Sequence, residues 1–148
     1  MAKLKITDEW WTAPTEADNG RLVLVTGRDE MEAVKASGIY RYRVEVTWPY
    51  PADDDSMPAN DAARLMEQVH DALLLALARD PVAVMTGVFT GDGQRDWVFY
   101  TRSLPLFQKK FNEALAPFPD LPLSFYAEDD PQWLAYDEMC ASRVSADD

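Results

Sequence analysis

The run Ile39-Tyr40-Arg41-Tyr42-Arg43-Val44-Glu45-Val46-Thr47-Trp48 decides the fold. Tyr40, Tyr42, Val44, Val46 and Trp48 fall on one side of it, and Arg41, Arg43, Glu45 and Thr47 on the other. Successive side chains of a strand point to opposite faces, so this alternation predicts a strand over 39–48 with one face toward a core. Pro49, Pro51 and Asp53-Asp54-Asp55 end it in a loop.

Downstream, Ala62, Leu65, Met66, Val69, Leu73, Ala76 and Leu77 recur at helical spacing, which predicts an amphipathic helix over 62–79 capped by Asn60 or Asp61. Val82 to Thr90 is apolar on both faces, as a covered strand is. Gly91-Asp92-Gly93 turns the chain, and Arg95 to Thr101 returns as the second arm of a hairpin. Leu104 to Ala116 reads as a helix that buries Leu106, Phe107, Phe111 and Leu115, ended by Pro117 and Pro119. Leu121 to Ala127 is the last strand. From residue 39 to residue 127 the order is therefore strand, helix, strand, strand, helix, strand. That is the ferredoxin-like βαββαβ pattern of an α+β domain, with both crossover helices on one face of one sheet.

Upstream, Trp10-Trp11 and Leu22-Val23-Leu24-Val25 lie in two short strands joined by Asp18-Asn19-Gly20, a strong turn signal, so residues 9–27 form an N-terminal hairpin. It either extends the sheet edge or covers the open face. Asp29 to Ser37 reads as a short helix with a capping box of Asp29 and Glu32 and a stop at Gly38. At the other end, Glu128-Asp129-Asp130-Pro131 leads into a C-terminal helix over 131–143. Asp130 is its cap, and Pro131 stands in the first turn. The whole of 1–148 reads as a single domain.

Three patches resemble a bacterial family known as domain of unknown function 695. One runs from Thr86 through Gly91-Asp92-Gly93 and Arg95 to the aromatic strand Trp97-Val98-Phe99-Tyr100. Another is Glu128-Asp129-Asp130-Pro131-Gln132-Trp133-Leu134-Ala135-Tyr136, and a weaker one is Met57-Pro58 ahead of the amphipathic helix. The resemblance spans Trp10 to Tyr136. It brings no activity with it, but that family is distantly similar to the regulator of ribonuclease activity B, a ferredoxin-like inhibitor that works by protein–protein contact.

The composition fits such a module. The 148 residues are 47% hydrophobic and include five Trp, six Tyr and six Phe. A chain of this length buries roughly 68–70% of its unfolded surface and needs no covalent staple. Fourteen basic residues against 26 acidic ones give a net charge of −12. A field of that sign repels phosphate backbones and anionic lipid headgroups, so nucleic acid and membrane are not the expected partners. A protein partner or a second copy of the chain is. A single cysteine excludes an internal disulfide. The polar N-terminus and the short apolar runs make the cytoplasm the expected location.

Catalytic chemistry finds little to stand on. His70 is the only histidine and falls at the border of the helix stripe, where a general base would lack a partner. With one histidine and one cysteine the chain has no histidine- or thiolate-based zinc set. Cys140 falls near acidic residues, a setting that disfavours the reactive thiolate. The runs 53–55 and 128–130 lack the ligand spacing of a calcium loop. Gly87, Gly91 and Gly93 belong to a strand and its turn rather than to a phosphate cradle. No catalytic residue, metal site or cofactor is expected.

Binding residues are easier to nominate. Arg41 and Arg43 on the polar face, beside Arg95, suit a small anion or an enzyme pocket between sheet and hairpin. The strand ending at Tyr100 offers aromatics for stacking RNA bases, although the basic RNP pattern is missing. Among the remaining aromatics, Trp10, Trp11, Trp48, Tyr50 and Trp133 suit a protein interface. Adjacent tryptophans on a strand face opposite ways, so either Trp10 or Trp11 needs cover, from the helix of Trp133 or from a partner. The reading is a non-catalytic protein-binding or regulatory module of the bacterial cytoplasm. Its nominated surface is Arg41, Arg43, Arg95, Trp11, Tyr100 and Trp133, and the anion pocket is the alternative.

The helix stripe gives a direct check. Leu73→Asp strands a charge in it and is expected to cost about 4 kcal/mol or more of unfolding free energy. A thermal midpoint within a degree or two of wild type would refute this helix face.

Overall fold

The computed structural model describes residues 6–51 and 57–146. Six strands and four helices make an α+β fold: β1 (Trp10–Glu16), β2 (Leu22–Arg28), α1 (Glu32–Ala36), β3 (Tyr42–Pro49), α2 (Asn60–Arg79), β4 (Ala83–Gly91), β5 (Gln94–Thr101), α3 (Leu104–Leu115), β6 (Ser124–Asp129) and α4 (Leu134–Ala146). The strands form one sheet in the order β1-β2-β4-β5-β3-β6, and every neighbouring pair is antiparallel. The N-terminal hairpin thus extends the sheet beyond β4 rather than covering it. The run Asp53-Asp54-Asp55 lies outside the described residues.

Side-chain alternation sorts the sheet into two faces. Val44, Val46, Trp48, Met85, Val88, Trp97 and Phe99 point to one face and pack under Met66, Val69, Leu73 and Leu77 of α2 and Phe107 and Phe111 of α3. Both long helices therefore shield the same side. The opposite face is covered by α1 and α4. Val84, Val98 and Tyr100 meet Met31, Val34, Tyr40 and Trp133 there, and Trp11, Ala13 and Val25 meet Met139. Burying both faces requires apolar residues on both, which is what the unbroken apolar run of β4 supplies.

Turn chemistry fixes the register. Gly91 sits at φ 152 in the β4–β5 turn, and a Cβ there would strike the backbone carbonyl of Leu22 on the adjoining β2, so only glycine fits.

Several local expectations change. The capping box at Asp29 does not form: α1 starts after Met31 with no side-chain cap, because Glu30 takes a left-handed φ of 59. Neither Asn60 nor Asp61 caps α2. The cap position is Ala59, and no side chain bonds there. Tyr40 lies before β3 and packs on the α4 face. Its hydroxyl donates to the Pro81 carbonyl at 3.0 Å, and its own carbonyl accepts from Trp133 Nε1 at 2.8 Å. The last strand begins at Ser124 rather than Leu121. Pro122 has no N–H for a ladder, and the Leu123 N–H turns back to the Leu121 carbonyl. The C-terminal helix starts at Leu134 and runs on to Ala146.

Trp11 is sealed in by Gly27 across the β1–β2 ladder, where a Cβ would overlap the indole ring. Gly27→Ala is expected to destabilise the fold by about 2 kcal/mol through overpacking. It should lower the urea midpoint with little change in slope. An unchanged midpoint would mean that Trp11 does not depend on this close approach.

Candidate functional site

Arg43 and Arg95 occupy opposite faces. Arg43 stands on the α4 face of β3. Its Nε donates to Glu128 Oε1 at 2.8 Å and its Nη1 to Glu45 Oε2 at 2.9 Å, and the Tyr126 ring lies 5.7 Å from its guanidinium carbon. Burial works against its charge, but the bonds to the two carboxylates outweigh burial and raise its pKa. Arg95 faces α2. It donates to Thr90 Oγ1 at 3.0 Å, meets Glu67 at 3.3 Å and lies over Trp97. Arg41 is exposed and precedes β3. The three arginines do not converge, so the expected anion pocket is not formed. The strand alternation had placed Arg41 with Arg43, but no one-strand pattern could tell which face Arg95 takes.

The nominated aromatics are framework. Trp97, Phe99 and Tyr100 are fully buried, so β5 presents no stacking platform. Trp11 is covered by the C-terminal helix, at Met139, and Trp10 turns the other way, toward His70 of α2. Trp133 stacks on Tyr100 with ring centroids 4.3 Å apart.

Asp130 ties this cluster together. Its Oδ2 accepts from the Tyr100 hydroxyl at 2.7 Å and from the Ala135 N–H at 3.1 Å, and its Oδ1 accepts from the Leu134 N–H at 2.9 Å. Its own N–H donates to the Arg41 carbonyl, and its carbonyl accepts from the Trp133 N–H. Its side chain thus caps α4 from three residues ahead of the N-cap position, with Pro131 outside the helix rather than in its first turn as expected, and it also fastens α4 to the centre of the sheet. Burial pushes the carboxyl up, but the hydrogen bonds from Tyr100, Leu134 and Ala135 win and hold it below its ordinary value. The Tyr100 hydroxyl is raised by burial and by that carboxylate.

Beside α4 the same face opens into a groove of about 700 Å³. Val25, Phe89, Val98 and Met139 give it an apolar floor. Among the described residues its charged lining is Glu45, Asp92, Asp96, Glu128 and Glu138 against the guanidinium of Arg43, which Glu45 and Glu128 already engage. Asp96 is half-buried, and burial raises its pKa despite hydrogen bonds from Thr47 and Gln94. Sequence reading missed this set. Its members are scattered over β3, β5, β6, a turn and α4, and only the register of β3 with β5 and β6 brings Glu45, Asp96 and Glu128 together.

Burial lowers the pKa of His70, whose Nδ1 accepts from Trp97 Nε1 at 3.2 Å. Cys140 is half-buried against the Trp11–Met139 cluster. Among the described residues no group of His, Cys, Asp and Glu has the geometry to hold a metal ion, and no helix is long and apolar enough to cross a membrane. Arg28 was also missed. It is buried and donates to the carbonyls of Thr7 and Met85, stitching the hairpin to β4.

The chain belongs to a family of unknown function, DUF695, whose model matches residues 8–139. The matched span covers all six strands, α1 to α3 and the first six residues of α4. No curated protein and no solved structure matches the chain.

The lowered Asp130 fixes a sign for acid behaviour. The unfolded chain binds this proton more readily, so the stabilisation is complete above the ordinary carboxylate pKa and is lost as pH falls through the lowered one. Asp130→Ala is expected to cost about 3 kcal/mol at neutral pH, from a lost cap and an orphaned tyrosine hydroxyl. In urea unfolding across a pH series, the variant should also show a shallower loss of stability in acid than wild type. A parallel acid limb would contradict the assignment.

Proposed function

We propose that this chain is a non-catalytic binding module of the cytoplasm whose acidic groove takes a basic segment of a protein partner. The observation that carries this reading is the groove itself: an apolar floor for aliphatic stems, walled by five carboxylates, with Arg43, the one cation lining it among the described residues, already paired. Lysine and arginine side chains combine an apolar stem with a charged head, which is the complement of that surface. An anion would meet repulsion there, so the geometry favours a basic partner over the small-anion alternative.

The strand order β6-β3-β5-β4, with α2 and α3 on one face, supports reading this part as a ferredoxin-like unit to which the β1–β2 hairpin is added. A regulator working through protein contacts, as in the resemblance to the regulator of ribonuclease activity B, is consistent with a charged groove that lacks a nucleophile–base pair. The net charge of −12 would steer a basic partner toward the chain and make association sensitive to salt.

The test separates local from global charge. Calorimetric titration with a short peptide of alternating lysine and serine should show binding that weakens with added salt. The double variant Asp96→Asn, Glu138→Gln, altered within the groove, is expected to bind about tenfold more weakly. The double variant Asp61→Asn, Asp71→Asn on α2 changes net charge equally and should bind as wild type does. Equal losses in both variants, or no binding by wild type, would overturn the reading.

A further inference from the structure

The sheet has two edges, and they differ. On β1, Pro14 interrupts the row of donors in mid-strand, and α4 packs over Trp11 and Ala13 on one side. An edge proline and a covering helix are devices that keep other strands away. On β6, the run Ser124-Phe125-Tyr126-Ala127-Glu128-Asp129 carries no proline, lysine or bulge, pairs among the described residues only with β3 and keeps a regular register. Phe125 and Tyr126 are 55% and 56% exposed.

The two sides of this edge have opposite chemistry. On the α3 side, Phe125 and Ala127 border an apolar cleft of about 270 Å³ that reaches in to Val44, Phe107 and Phe111. On the other side, Tyr126 and Glu128 adjoin the rim of the acidic groove, with Glu45 and Glu128 at its near wall. A strand added beside β6 would send alternate side chains to these two sides.

We infer that β6 is a docking edge for an extended segment of a protein partner, in which apolar residues alternate with lysine or arginine. Main-chain bonds to the outer side of β6 would hold the segment. Its apolar residues would enter the cleft against α3, and its basic residues would lie over Glu128 and the groove rim. A second copy of this chain is the weaker occupant: its own β6 would bring Glu128 and Asp129 instead of cations, and each copy carries −12. The basic half of the pattern rests on the groove reading, while the strand pairing and the apolar half do not.

Amide hydrogen exchange on the full chain tests this with two peptides of identical composition, one alternating valine and lysine and one with the same residues in two blocks. The alternating peptide is expected to protect amides within 124–129 and to bind about tenfold more tightly than the block peptide. Phe125→Lys, checked for an unchanged thermal midpoint, should abolish that protection. If the variant does not fold, the exchange map of the wild-type chain decides alone. Equal affinities, or protection absent from 124–129, overturn the inference. Should both peptides bind equally and protect only groove residues, the edge fails and the groove reading stands. Should the groove double variant retain protection of 124–129 while losing the lysine–serine peptide, the edge holds on its own.

Discussion

The carboxylate of Asp130 is the constraint on which the arrangement depends. It accepts from the Tyr100 hydroxyl at the middle of the sheet and from two N–H groups at the start of α4. A helix begins with donors that have no partner inside it, and a hydroxyl buried in a sheet face needs an acceptor. One side chain meets both needs, so the entry point of α4 is tied to β5. Trp133, held at a left-handed φ of 57, then stacks on Tyr100 and donates to the Tyr40 carbonyl. From that point α4 runs over the hairpin strands, where Met139 reaches Trp11 and approaches Gly87.

This placement divides the second sheet face into a closed part and an open part. Where α4 lies, the aromatic residues are core and contribute by burial, on the order of 2–3 kcal/mol for each fully buried large side chain. Where it does not lie, the polar residues of β3, β5 and β6 face outward as a carboxylate-lined groove. The first face carries the main core under α2 and α3, and a cleft opens from it at the β6 edge. The proposed binding surfaces are thus what remains after the helices have covered the sheet.

Much of the fold was legible because its signals are local. The alternation over 39–48, the helix stripe through Leu73, the turn at 91–93 and the acidic cap before Trp133 each depend on neighbours a few residues apart. What escaped depends on register. Arg43 opposes Tyr100 while Arg95 opposes Trp48, and only this pairing shows that the two arginines lie on opposite faces. The same holds for the groove, whose carboxylates come from five separate segments. Tyr100 and Trp133 stood out as exposed-surface candidates because aromatic residues suit interfaces and cores alike, and composition does not separate the two. The α1 cap failed because the left-handed turn at Glu30 moves the helix start past Asp29.

The most direct measurement of the central claim is a double-mutant cycle between Tyr100→Phe and Asp130→Ala, read by urea unfolding at neutral pH. A single carboxylate that serves both the sheet and the helix cap requires the two substitutions to be coupled, by about 1–2 kcal/mol. Losses that add within about 0.5 kcal/mol would show that the two residues act independently, and α4 would not be fastened to the sheet in the way described.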